Sequence, residues 1–66
     1  MKYPQRIREL REQANLSQMG LATATGISQS SIARWELGKA EPSASNIITL
    51  AEFFGESADY ILGLVD

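Results

Sequence analysis

The sequence predicts an all-α fold, a compact bundle of five short helices, on three observations. Apolar residues recur at helical spacing in five separate stretches, and nowhere does the chain alternate with the period of two that a half-buried strand requires. Serines stand before four of these stretches, at Ser17, Ser28, Ser43 or Ser45, and Ser57, where a short hydroxyl caps the free N–H groups of a helix start. Asn15, Gly26, Gly38, Gly55 and Gly63 follow the stretches, and these residue types tolerate the left-handed conformation that closes a helix. At 66 residues the chain is read as one domain, 1–66, whose folding hides only about 60% of its surface. Its core must therefore be small and its function carried on the surface.

The first helix is expected over about 4–14, with Pro4 in the first turn, where its missing N–H costs nothing. Tyr3 before it is no capping residue, and Ile7, Leu10 and Ala14 form the buried stripe. The second runs over about 18–24 and buries Leu21 and Ala22; Gly20 in its interior costs about 1 kcal/mol relative to alanine, so packing must hold it. The third, about 29–37, places Ile32, Trp35 and Glu36 on one side and Ser30, Ala33 and Arg34 on the other. Pro42 interrupts the chain before the fourth helix, in which Ile47, Leu50, Ala51 and Phe54 make a core face. The fifth starts at Ser57 with Asp59 in its first turn, near the positive end of the dipole, and closes the core with Ala58, Ile61 and Leu62.

The second and third helices open on one repeated pattern. Leu-Ser-Gln-x-x-Leu at 16–21 returns as Ile-Ser-Gln-x-x-Ile at 27–32, in each case a serine cap flanked by the two apolar residues of a hydrophobic staple. Only Thr25 and Gly26 separate the first of these helices from the next staple, so the corner is tight and Gly26 takes a positive φ. Two short helices about a glycine corner, over about 17–37, make a helix-turn-helix, an arrangement able to present one helix to a DNA major groove. With Ile32 and Trp35 inside, the third helix keeps a narrow polar edge outside.

Composition bounds the chemistry. The chain has neither cysteine nor histidine, which removes disulfides, thiolate metal sites and the commonest catalytic side chain, and no cofactor or metal is expected. The glycines at 20, 26 and 38 fit no phosphate-loop spacing, and Glu9 and Glu12 read as salt-bridge partners on a helix surface, so the chain is not expected to be an enzyme. No apolar run approaches the length of a membrane span, and a soluble cytoplasmic domain is expected. The net charge of −2 speaks against a nucleic-acid partner until its distribution is considered. Residues 1–39 hold all six cations, Lys2, Arg6, Arg8, Arg11, Arg34 and Lys39, and net +3; the remaining residues net −5. Such a dipolar domain can present a basic face, although clustered solubilising charge would look the same.

The motifs RIRELREQANLSQ, the Leu21-Ala22 pair, GISQSSIARWELGKAEPS, LAEFFG and SADYILGL, in this order and spacing, resemble the phage repressor/Cro type of helix-turn-helix domain, also called XRE-like. The resemblance spans nearly everything from Arg6 to Gly63 and implies a lambda-repressor-like five-helix fold. It further implies that the third helix is the recognition helix. Gln29, Ser30, Ser31 and Arg34 are then the base-contacting residues, with Gln29 suited to the N6 and N7 edge of adenine. Gln18, which also braces Gln29, and Lys39 are the phosphate contacts, and Arg11 and Glu36 form a structural ion pair. Gly20, Leu37 and Glu56 depart from the family pattern, the first suggesting a softer second helix and the second a lost phosphate contact.

The resemblance implies a sequence-specific regulator of transcription, a repressor, that binds double-stranded DNA at an inverted repeat as a homodimer, at least on DNA. One domain has three or four base contacts worth about 1–3 kcal/mol for each good bidentate pair, which is little against a genome of competing sites. Ile48, Phe53 and Tyr60 are either scattered surface apolars or a small dimer patch. A protein-interaction module using the acidic half, or the DNA-binding N-terminal part of a longer regulator, are the alternatives. No small-molecule ligand and no membrane partner are evident.

Overall fold

The computed structural model describes residues 1–66, all in five helices and their connections with no strand: α1 (Tyr3–Gln13), α2 (Gln18–Thr25), α3 (Gln29–Glu36), α4 (Ala44–Phe54) and α5 (Ala58–Leu62). Serine caps start four of them. The hydroxyls of Ser17, Ser28, Ser43 and Ser57 each accept from the backbone N–H three residues on, so Ser43 and not Ser45 caps α4. α1 instead begins without a side-chain cap, and Pro4 supplies the preset φ of its first turn. At the other ends Asn15, Gly38, Gly55 and Gly63 take positive φ, and the N–H of the following residue reaches back to the carbonyl five residues earlier. These Schellman closures make each exit abrupt, so consecutive helices turn sharply across one another.

The core gathers Tyr3, Ile7 and Leu10 of α1, Leu21 and Ala22 of α2, Ile32 and Trp35 of α3, Ile47 and Leu50 of α4, and Ile61 of α5. α1 packs on α3 and α5, α2 packs on α3 and α4, and α4 packs on α5, giving a body of 27 × 24 × 20 Å. Leu16 and Ile27, the outer members of the two staples, lie half-buried against this cluster. Three expectations are corrected. Ala14 is exposed, because α1 ends at Gln13 and the turn at Asn15 carries Ala14 away from the stripe. Leu62 is also exposed, because α5 has only five residues and one turn buries only Ile61. Tyr3, in contrast, begins α1 and is buried, continuing the Ile7 and Leu10 stripe backward by four residues. Leu37 is the C-cap of α3, which ends at Glu36.

Candidate nucleic-acid interface

The corner between α2 and α3 is held by backbone geometry and one side chain. Gly26 adopts φ 77° and donates to the Ala22 carbonyl, while Thr25 Oγ1 donates to the Leu21 carbonyl at 2.7 Å and accepts from Ile27 N–H at 3.3 Å. The hydroxyl thus spans the last turn of α2 and the first residue of the next staple. Gly20 also has a local reason. A Cβ there would lie 3.3 Å from both Leu16 Cδ2 and Ser17 Oγ, closer than ordinary contact, so the staple and cap lie flat over the α2 start because that residue lacks a side chain.

The outer edge of α3 carries most of the polar residues singled out from the sequence. Ser28 Oγ accepts from Ser31 N–H at 3.2 Å and donates to Ser31 Oγ at 2.8 Å, and Ser30 Oγ stands 3.4 Å away. Gln29, Ser30 and Arg34 are exposed, Ser31 is half-buried, and Ile32 and Trp35 point into the core. Beyond Glu36, Gly38 at φ 73° lets Lys39 N–H donate to the Arg34 carbonyl at 2.9 Å, which fixes where Lys39 leaves the helix. Tyr3 Oη donates to the Ala40 carbonyl at 3.0 Å and ties the same loop to α1. Leu37 is 68% exposed beside this edge and adds apolar surface there. Glu56 is exposed, and nothing in the structure explains a carboxylate there.

Behind the edge runs a continuous chain of polar contacts. Arg11 Nε donates to Glu36 Oε2 at 2.7 Å, Arg11 Nη2 to Glu36 Oε1 at 3.0 Å and Arg11 Nη1 to the Leu16 carbonyl at 2.8 Å. The pair is well shielded, the side chains being only 12% and 6% exposed. The guanidinium is held above its already high ordinary pKa, chiefly by the hydrogen bond to Glu36 and despite partial desolvation. Arg11 therefore stays charged at any pH the domain meets. Gln18 Nε2 donates to Glu36 Oε1 at 3.2 Å, and Gln29 Nε2 donates to Gln18 Oε1 at 3.0 Å. Four side chains thus link α1 and the end of α3 to the exposed start of α3.

Charge is distributed more narrowly than the sequence total suggested. Lys2 reaches Asp66 at 3.9 Å, Arg8 pairs with Glu12 and Arg11 with Glu36. Arg6 lies 4.1 Å above the Tyr60 ring and donates to the Tyr60 and Val65 carbonyls. Four of the six cations are thereby engaged within the domain, three in ion pairs and Arg6 against Tyr60 and two carbonyls, and Arg34 and Lys39, at the two ends of the last turn of α3 and its exit, are the two whose side chains are not engaged. Ile48 and Phe53 are exposed on α4, whereas Tyr60 is half-buried beneath Arg6. Sequence reasoning missed Tyr3, Thr25 and Arg6; only Tyr3 had a readable signal, its spacing to Ile7 and Leu10.

A tight corner, an inward apolar face on α3 and an outward polar edge define a helix-turn-helix domain. The sequence profile of the helix-turn-helix family matches residues 7–61, and the chain belongs to that family, of the XRE type. Relatives carry the same description. The chain is 39% identical over 64 residues to the uncharacterized HTH-type transcriptional regulator YobD of Bacillus subtilis, a match covering 97% of this chain and 57% of YobD. It is 37% identical over 59 residues to an uncharacterized HTH-type transcriptional regulator of Haemophilus influenzae, covering 89% of this chain and 24% of that protein. It is 31% identical over 62 residues to the HTH-type transcriptional activator BcrR of Enterococcus faecalis, covering 94% and 30%. The chain therefore spans 57% or less of the length of these three relatives. No solved structure matches it. No helix is long and apolar enough to cross a membrane.

Proposed function

We propose that this helix-turn-helix regulator binds double-stranded DNA sequence-specifically by laying α3 in the major groove. The observation that carries this reading is the coincidence on one edge of exposed Gln29 and Ser30 with Arg34 and Lys39, the two cations whose side chains no ion pair, hydrogen bond or aromatic ring engages. Gln29, Ser30, Ser31 and Arg34 face base edges, while Gln18 and Lys39 take phosphates, where an amide N–H and a point charge suffice. The chain acts as a homodimer on an inverted repeat with half-sites about one helical turn apart, and represses by occupying the site. Ile48 and Phe53, with the rim of Tyr60, form the contact between copies. BcrR bears the name of an activator. The sign of regulation thus depends on where the site lies relative to a promoter.

The test is selection of bound duplexes from a random pool, followed by a salt titration on the selected site. Few free cations mean a shallow dependence. With one or two phosphate-neutralising cations per copy, a dimer is expected to show a slope of log affinity on log salt of about −2 to −4. Recovery of a two-fold-symmetric site with this slope supports the reading, and no enrichment over the pool at low salt ends it. One observation favours a second reading, a protein-interaction module: Glu41, Glu52, Glu56 and Asp59 are exposed and free of ion pairs in the second half. A failed selection moves the search for a partner to that face.

A further inference from the structure

The loop that leaves α3, residues 39–42, is held at its first two residues from two different helices. Lys39 N–H donates to the Arg34 carbonyl at 2.9 Å, and the Ala40 carbonyl accepts from Tyr3 Oη at 3.0 Å, across 37 positions of sequence. No other hydrogen bond within the domain reaches the loop backbone: the N–H groups of Ala40 and Glu41 donate to nothing, and Pro42 has none to give. The Tyr3 ring is 4% exposed in the core, Ala40 packs half-buried against that core, and Pro4 lies beside Gly38, where a Cβ would stand 3.8 Å from Pro4 Cγ. The hydroxyl is thus a fixed anchor beneath a loop that has little else to order it. That loop carries Lys39 and Glu41, both exposed and outside every ion pair. Their charges cancel, so the loop favours a phosphate only in a fixed orientation.

We propose that Tyr3 is a positioning residue for DNA binding: its hydroxyl fixes the 39–42 loop, so that Lys39 meets a phosphate from a backbone already ordered. The proposal rests on the reading of Lys39 as a phosphate contact given above. Packing alone would be served as well by phenylalanine, whose ring fills the same space. What the oxygen adds is one hydrogen bond, and that bond goes to the loop backbone rather than to another part of the core. Ordering the backbone of one free residue on binding weakens affinity by roughly five- to thirtyfold. A loop ordered beforehand escapes that loss. Lys39 therefore depends on two anchors, the Arg34 carbonyl before it and the Tyr3 hydroxyl after it.

The experiment is a double-mutant cycle on Tyr3→Phe and Lys39→Ala. It reads the affinity of the whole chain for a selected duplex at several salt concentrations, at a temperature where every variant is folded. Tyr3→Phe keeps the ring and is expected to lower the melting temperature by about 4–8 °C, the loss of one hydrogen bond. Its affinity is expected to fall by about five- to tenfold, and its salt slope to shrink toward that of Lys39→Ala, which loses about one unit per copy. In the Lys39→Ala background the same change is expected to weaken binding by less than about twofold. A merely structural hydroxyl lowers the melting temperature but moves neither the salt slope nor this coupling. Unchanged affinity in Tyr3→Phe, or an equal loss with and without Lys39, therefore overturns the proposal while leaving the DNA reading intact. So does wild-type affinity in Lys39→Ala, since there is then no contact to position. Should Tyr3→Phe not fold, Ala40→Gly takes its place in the cycle, because it loosens the same loop from the other side of the bond. If the wild-type chain enriches no duplex at all, the major-groove reading fails and this proposal falls with it.

Discussion

Residues 16–21 and 27–32 repeat one local pattern, yet their glutamines end in different situations. Both serines cap their helices, Ser17 accepting from Gly20 N–H at 2.9 Å and Ser28 from Ser31 N–H at 3.2 Å. Both inner staple residues, Leu21 and Ile32, are fully buried, and both outer ones are half-buried. But Gln18 is half-buried with its amide against Glu36, while the Gln29 side chain is exposed and hydrogen-bonds to Gln18. The local chemistry of a helix start is the same in the two copies, and what differs is the neighbour. α2 starts beside the α1 to α3 ion pair, and α3 starts in the open. A repeated sequence has thus become a support and an edge.

The largest way to break this contrast is to remove the support. Glu36→Ala leaves the Arg11 guanidinium shielded and unpaired, and is expected to cost about 3–5 kcal/mol of stability. For a 66-residue chain the whole stability is only about 3–10 kcal/mol. Urea denaturation followed by circular dichroism should show the midpoint collapse, and a loss below about 1 kcal/mol would rank the pair with exposed bridges such as Arg8 to Glu12. Next in size, Gln29→Ala is expected to weaken binding to a selected duplex by about 1–3 kcal/mol with no change in the denaturation midpoint, because the side chain is exposed.

Smaller changes probe what the copies share. Ser17→Ala and Ser28→Ala should each destabilise by about 1 kcal/mol, and equal losses in thermal melts would establish that the caps are equivalent. A clear excess at Ser28 would trace to its further contact with Ser31. Least of all, Gly20→Ala should change stability by no more than about 0.5 kcal/mol. The gain of about 1 kcal/mol in helix propensity is offset by contacts at 3.3 Å with Leu16 and Ser17, which must yield. A full 1 kcal/mol gain would show that the staple relaxes freely.

Most of the fold was legible because its determinants are local. Serine caps, positive-φ exits and the apolar spacing of each helix lie within a few residues of one another, and they place all five helices to within about two residues. The errors came at ends. Spacing alone puts Ala14 and Leu62 in the core, but a helix that stops one residue earlier, or lasts only a single turn, does not present such positions inward. At the site, the polar edge of α3 was legible because Ile32 and Trp35 define what faces inward. The basic face was read too broadly, since the engagement of Arg6 with Tyr60 and of Lys2 with Asp66 joins residues 54 and 64 positions apart.

The sequence by itself determined where helices start and stop, because capping hydroxyls, staples and left-handed glycines act on the backbone beside them. It also determined which side of each helix is apolar, since that follows from a fixed rotation per residue. Tertiary structure alone decided which polar groups meet. Only packing brings Arg11, Glu36, Gln18 and Gln29 into one chain of contacts, leaves Arg34 and Lys39 as the cations whose side chains are not engaged, and ties Tyr3 to the Ala40 loop. Hydrogen bonds and ion pairs act over about 3 Å, and no spacing along the chain encodes a distance across it.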